Sequence, residues 1–206
     1  SIQEKAQDLI DPFLAGDNNL PSVKDIEESI NQLNYLLGFY DESDMNYDII
    51  LSKKYLLEVF QILVSNDISS ANKAINNLDK IKELAPYAAY TNNILSVIYR
   101  KINQLEDAKK NAEKADELIP TWTEPKLNIG KTLFAEGNYE GTINEFNKII
   151  ELRPDLPKGY HNLANTYSFL FENAKADSLY EIAREIAPDD FYVNLSYANH
   201  LYYSNK

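Results

Sequence analysis

Residues 127–140 read LNIGKTLFAEGNYE, and Gly130-Lys131-Thr132 within them is how a phosphate-binding loop ends. Such a loop needs a second glycine five residues earlier, so that backbone amides can curl around phosphate oxygens. Pro125 stands there and has no amide hydrogen to offer. The intervening Lys126, Leu127, Asn128 and Ile129 do not form a strand followed by a glycine-rich turn. The nucleotide reading fails, and Gly130 needs another purpose.

That purpose emerges from a ruler along the chain. Pro86, Pro120, Pro154 and Pro188 stand at equal intervals of 34 residues. Aligned on them, the chain divides into segments beginning at Tyr55, Ala89, Thr123, Pro157 and Phe191. Small residues recur in one column (Ser96, Gly130, Ala164, Ala198), and three positions on come Tyr99, Leu133, Tyr167 and Leu201. A second set runs Ala74, Ala108, Thr142, Ala176, then Leu78, Ala112, Phe146, Tyr180, then Ile81, Ala115, Ile149, Ala183. Offsets of three and four residues share one helix face. Each segment therefore predicts two amphipathic helices of about 13 residues joined by a short turn, such as AEGNYE with its helix-stopping Gly137 and Asn138. The small column lets two backbones approach while the large column fills the hollow beside it. Gly130 is predicted to be a packing notch, with Lys131 turned elsewhere. Each proline is expected to end a helix, followed by a polar cap such as Asp155 or Asp189-Asp190.

The pattern resembles the tetratricopeptide repeat, a 34-residue helical hairpin with small and large residues in fixed columns. Residues 125–156 and 158–190 match it well and 90–120 fairly, whereas 55–86 match mainly through SSANKAINNLDKIKELAP. Phe171 departs from it where a turn glycine is usual, as do Asn92 and Lys126 where a first-helix tryptophan is usual. The resemblance implies an all-α, right-handed superhelical solenoid of antiparallel helix hairpins. The expected organisation is a degenerate N-terminal hairpin over 1–45, with SVKDIEESINQLNYLLGF as its second helix and IQEKAQDLIDPFL, bent or capped at Pro12, as its first. Four repeats follow at about 47–88, 89–122, 123–156 and 157–190, the first opening with a long helix near Tyr47. A capping or truncated-repeat helix occupies 191–206.

Composition limits the partners. The 206 residues carry a formal net charge of −12, which disfavours nucleic acid and anionic lipid surfaces. There is no cysteine, so disulfides, thiolate metal sites and cysteine nucleophiles are out. No apolar run approaches the ~20 residues of a membrane span. The start, SIQEKAQDLI, has neither a basic segment nor an apolar signal core. A cytoplasmic location is the expectation, with a periplasmic or extracytoplasmic one left open because Ser1 reads as a processing or cloning boundary. The fifteen tyrosines suit half-wet surfaces.

Chemistry is thin. His161 and His200 are the only histidines and read as surface or groove residues. Asp44, Asn46 and Asp48 lack the glycine and glutamate of a calcium loop and read as an acidic cap on the next helix. Asn194-Leu195-Ser196 is a glycosylation sequon that matters only in a secreted protein. No catalytic, metal or cofactor residue is expected, and the chain reads as non-enzymatic.

The resemblance further implies that first helices line a concave groove for a partner's peptide or helix. Carried over, the groove presents Tyr90, Asn93, Val97, Arg100 and Lys101, then Glu124, Leu127, Asn128, Lys131 and Phe134. The next repeat gives Lys158, His161, Asn162, Asn165 and Phe169, and the last helix Tyr192, Asn199 and Tyr202. Asparagines there suit a peptide backbone, Lys131, Lys158 and Arg100 a carboxylate, and Phe134 and Tyr90 an apolar side chain. The lysine–asparagine clamp by which some family members hold chaperone C-termini is disfavoured. Asn128 and Lys158 match its columns, but Asn93, Val97 and Asn162 do not. The expected function is a protein-interaction scaffold. The alternatives are a spacer that self-associates through the tyrosine-rich C-terminal helix, and a regulatory part of a larger protein whose catalytic domain lies outside this sequence.

Overall fold

The computed structural model describes residues 1–14, 21–65, 68–81 and 88–204, and every regular element among them is helical. Pro86 and the side chain of Ile81 lie outside the described residues. The chain forms two compact units, Ser1–Asp107 and Ala108–Lys206.

The first unit contains α1 (Ile2–Leu14), α2 (Val23–Leu37), α3 (Met45–Ser65), α4 (Ala71–Ile81) and α5 (Ala88–Lys101), and ends in the first turn of α6 (Leu105–Leu118). Its core joins Ala6 and Ile10 of α1 to Ile26, Ile30 and Leu33 of α2, Leu56, Leu57 and Phe60 of α3, Leu78 of α4 and Leu95 of α5. The i, i+4, i+7 spacing in α2 puts its apolar side chains on one face. Ser22 caps that helix, its Oγ accepting from the Asp25 amide at 3.2 Å. Two expectations shift slightly. The α1 backbone runs on past Pro12 to Leu14, and α3 starts at Met45 rather than Tyr47, with the Asp44 carboxylate accepting from the Asn46 amide at 2.8 Å. At 21 residues α3 is indeed long.

The second unit holds the rest of α6, then α7 (Thr123–Ala135), α8 (Tyr139–Leu152), α9 (Pro157–Phe169), α10 (Asn173–Ile186) and α11 (Phe191–Tyr203). Here the notch is visible. A Cβ placed on Gly130 would lie 2.4 Å from Cε1 and 2.9 Å from Cδ1 of the buried Phe146 ring. The Thr142 hydroxyl completes the seat, 2.9 Å from the Asn138 carbonyl and 3.3 Å from that of Gly130. In the next hairpin Ala164, Ala176 and Tyr180 share a core cluster with Tyr197. Second-helix column residues Ala74, Ala108, Ala112, Ala115, Thr142, Phe146, Ile149, Ala176, Tyr180 and Ala183 are all buried. A second close approach lies between hairpins, where a Cβ on Gly159 of α9 would come within 2.9 Å of Ile150 Cγ1 of α8.

The turns repeat as well. Asn103, Gly137 and Phe171, each 34 residues from the next, have φ of 63°, 80° and 60°. In each turn the following amide reaches back to close the helix: Gln104 to Tyr99 O, Asn138 to Leu133 O and Glu172 to Tyr167 O, at 2.8–2.9 Å. Phe171 thus takes the left-handed conformation that suits glycine, with its ring 86% exposed.

The caps diverge from expectation at one place. Asp190 caps α11, accepting from the Tyr192 and Val193 amides at 2.8 and 3.0 Å. Asp155 instead forms a two-pronged pair with Arg153, both contacts at 2.8 Å, and Pro157 in the first turn of α9 starts that helix without a side-chain cap. A fixed φ at that position makes a cap less necessary.

The first-helix tryptophan positions hold buried polar residues. Lys126, 7% exposed, is ion-paired with Asp116 of α6 and donates to the Pro120 carbonyl at 2.6 Å. Asn92, also buried, donates to the Ala88 carbonyl at 2.7 Å.

Two outcomes follow from this packing. Gly130→Leu lowers unfolding stability by about 1–3 kcal/mol or more in a urea titration, because the added side chain must displace Phe146. Part of that loss returns when Phe146→Leu is added, and a Gly130→Leu chain of unchanged stability contradicts the notch. Phe171→Gly raises stability by about 0.5–1 kcal/mol, since relieving left-handed strain outweighs the entropy of an added glycine.

Candidate functional site

In the second unit the first helices lie side by side, as contacts one repeat apart show. Lys158 Nζ of α9 meets Glu124 Oε1 of α7 at 3.2 Å. The Phe134 and Phe169 rings, at the ends of α7 and α9, pack edge-to-face with centroids 5.0 Å apart. His161 Nε2 of α9 lies 2.9 Å from Ser196 Oγ of α11. These spacings of 34 and 35 residues are the period of the sequence turned into lateral contact.

The expected groove residues divide by role. Phe134 and Phe169 come together, and Tyr139 from the start of α8 joins them, its ring 5.4 Å from each. Phe169 remains 53% exposed, so the cluster offers apolar aromatic surface. Lys131 is half-buried on α7, one turn before Phe134. Lys158 is tied to Glu124 and so does not present an unshared charge.

The asparagines are largely committed to the protein itself. Asn128 is 5% exposed and does not offer its amide at the surface. Asn162 donates to the Lys158 carbonyl at 2.8 Å, within its own helix. Asn165 accepts from the Tyr180 hydroxyl at 2.6 Å and donates from Nδ2 toward His161 Nε2, 3.2 Å away. With Nε2 accepting, His161 is the neutral imidazole. Burial, helped by the Lys131 charge and opposed by that of Asp190, holds its pKa below the ordinary value. Burial also pushes the Tyr180 phenol up to about 12, so it stays a donor.

In the first unit, Tyr90 of α5 is half-buried against the core and Asn93 is half-buried on the same helix. The Asn93 carbonyl accepts from Ser96 Oγ at 2.6 Å. Arg100, at the end of α5, has its Nε buried with no hydrogen-bond partner among the described residues, and burial lowers its pKa.

His200 corrects an expectation. It is not a surface or groove residue but 5% exposed, its Nδ1 2.7 Å from Ser168 Oγ and its Nε2 3.1 Å from Asp177 Oδ1. Its ring lies beside those of Tyr180 and Tyr197, so it ties α11 to α9 and α10. Two further features were not foreseen. Tyr139 escaped notice because it opens a second helix, and the Lys126–Asp116 pair because its partners belong to different repeats. Only the Phe134–Phe169 spacing gave a signal of the ring cluster.

The neutral state of His161 gives a pH dependence. Because its folded pKa is depressed, the unfolded chain takes up the proton first as pH falls. Stability contributed by neutral His161 is therefore present above about pH 6.5 and is lost as pH falls through the ordinary histidine range toward the lower folded pKa. Urea titrations between pH 7.5 and 5 give His161→Gln a shallower loss than the unaltered chain; equal slopes contradict the assignment.

Comparison with known proteins places the repeat. A tetratricopeptide-repeat profile matches residues 89–121, and a second, described as TPR repeat, matches 130–168. No curated protein matches the sequence. Among solved structures, TTC0263, a thermophilic TPR protein of Thermus thermophilus, is 19% identical and superposes with a TM-score of 0.71 over 98% of this chain and 100% of its own. MamA is 20% identical, covering 79% of this chain and 89% of its own at a TM-score of 0.61. YrrB, a TPR protein with an unusual peptide-binding site, is 20% identical over 85% and 90%, at 0.60. Such identities speak for a shared fold, an all-α helical solenoid, and the repeat matches fall on the segments that carry the 34-residue columns. Tetratricopeptide repeats therefore occupy residues 89–121 and 130–168 of this chain.

Proposed function

We propose that this chain is a non-catalytic scaffold that holds an extended peptide or a helix of another protein along the concave face of its first helices. The reading assigns repeats to 47–88, 89–122, 123–156 and 157–190, a degenerate hairpin to 1–45 and an end helix to 191–206. The observation that carries it is the ring cluster of Phe134, Tyr139 and Phe169, gathered from three helices and partly open to solvent. Rings already packed together lose little freedom when an apolar ligand side chain lands on them. Lys131, one turn from Phe134, supplies a positive charge for an acidic group beside that anchor. The buried or internally bonded amides of Asn128 and Asn162 hold the helices rather than the ligand, so recognition rests on the rings and the cation. YrrB, with a similar fold, is described by a peptide-binding site, which supports a peptide as ligand here.

A second reading concerns the C-terminal helix. Tyr202 and Tyr203 are 76% and 80% exposed, which favours α11 as a surface for self-association.

Panning a random peptide library on the chain tests the first reading. Enriched peptides carry an aromatic or large aliphatic residue close to an acidic one. They lose at least about tenfold in affinity on Phe134→Ala/Phe169→Ala and on Lys131→Glu, with helicity retained. Peptides that bind all variants equally contradict the groove assignment.

A further inference from the structure

Three side chains of the second unit pass a hydrogen bond outward from the core. Tyr180 of α10 is 1% exposed, and its hydroxyl donates to Asn165 Oδ1 of α9 at 2.6 Å, its only acceptor among the described residues. A buried hydroxyl hydrogen without an acceptor is costly, so the Asn165 amide is held with its oxygen toward the phenol. Its Nδ2 then faces His161 Nε2, 3.2 Å away, as a donor. Ser196 Oγ of α11 approaches the same nitrogen at 2.9 Å. An amide N–H does not face a second N–H, so Nε2 is the bare nitrogen and the ring proton sits on Nδ1.

Nδ1 is the outward end of this chain. No hydrogen bond among the described residues uses it. Thr91 Oγ1 and Arg100 Nε are the buried side-chain atoms left without a partner there, and Nδ1 is not one of them, so solvent reaches it. The result is a donor that cannot turn away, because the other edge of the ring is held from two helices. His161, Asn165 and Phe169 follow one another at four residues and share one face of α9. The eight residues from His161 to Phe169 rise about 12 Å along the helix, which an extended peptide covers in about three or four residues.

We propose that His161 Nδ1–H donates to a main-chain carbonyl of the bound peptide, about three or four residues from the side chain that lands on Phe134, Tyr139 and Phe169. Tyr180 and Asn165 are positioning residues that hold the imidazole in the required tautomer. This rests on the groove reading. A carbonyl is the fitting acceptor because the imidazole is neutral, whereas an acidic side chain is met by the Lys131 charge. A donor to the main chain does not select a side chain; it fixes the register of the peptide against the rings.

Two measurements test it. In long-range proton–nitrogen NMR spectra of the free chain at pH 7.5, His161 Nδ1 resonates as a protonated, pyrrole-type nitrogen and Nε2 as a pyridine-type one. The reverse pattern overturns the proposal. Tyr180→Phe releases the Asn165 amide and draws the two nitrogen shifts together, a change that lost packing alone does not produce; unmoved shifts overturn the positioning role. Binding is measured with the tightest library peptide whose affinity depends on Phe134 and Phe169. His161→Gln, whose amide reaches the place of Nε2 and leaves no donor at Nδ1, weakens that peptide about five- to tenfold. His161→Asn, whose amide nitrogen stands near the place of Nδ1, stays within about twofold. Replacing the peptide's amide bonds by esters one at a time finds a single carbonyl whose weakening matters to the unaltered chain and not to His161→Gln. Equal affinity of His161→Gln and the unaltered chain overturns the donor while the groove stands. A library without any peptide sensitive to Phe134→Ala/Phe169→Ala overturns the groove reading and this proposal with it.

Discussion

The contact on which this fold turns is a hydrogen atom against a ring. Gly130 has no side chain, and the Phe146 ring occupies the space that a Cβ would need. That absence lets α7 and α8 come close enough for the Thr142 hydroxyl to reach the Gly130 carbonyl. The same arrangement with alanine and tyrosine recurs one period on. A single hairpin buries little, so such contacts stabilise the second unit only in series, each helix covering the next. Gly159 against Ile150 supplies the join between successive hairpins.

Periodicity made much of this legible in advance. Columns of small and large residues identify which side chains face inward, and the structure buries those columns wherever their second-helix side chains are described. Gly130 could be read correctly because Pro125 removed the phosphate alternative. The turn position was legible too, including the misfit of Phe171, since one left-handed residue per hairpin is a geometric need. Less legible were contacts between repeats. His200 looks like an isolated histidine because its partners Ser168 and Asp177 stand 32 and 23 residues before it. Lys126 looks like a defect in an aromatic column until Asp116 and the Pro120 carbonyl are seen around it.

The candidate groove shows the same division. Sequence columns name which residues lie on the first helices but not which of them are already satisfied. Asparagine can serve a ligand backbone or its own helix with equal chemistry, and Asn162 serves its helix. Lys158 answers Glu124 one repeat earlier. In the proposed reading, recognition rests on the aromatic cluster with Lys131 beside it. The His161–Asn165–Tyr180 chain beneath them fixes the α9–α10 hairpin and, through Ser196, the final helix. Its neutral imidazole makes that part of the protein sensitive to acid.

The most direct test of the account is proton NMR of Gly130 in the intact chain. Seated against the Phe146 ring, its Hα protons show nuclear Overhauser contacts to the ring protons and ring-current shifts well away from ordinary helical glycine. Hα resonances at ordinary positions, without contacts to Phe146, would remove the packing on which the hairpins, and with them the proposed binding face, depend.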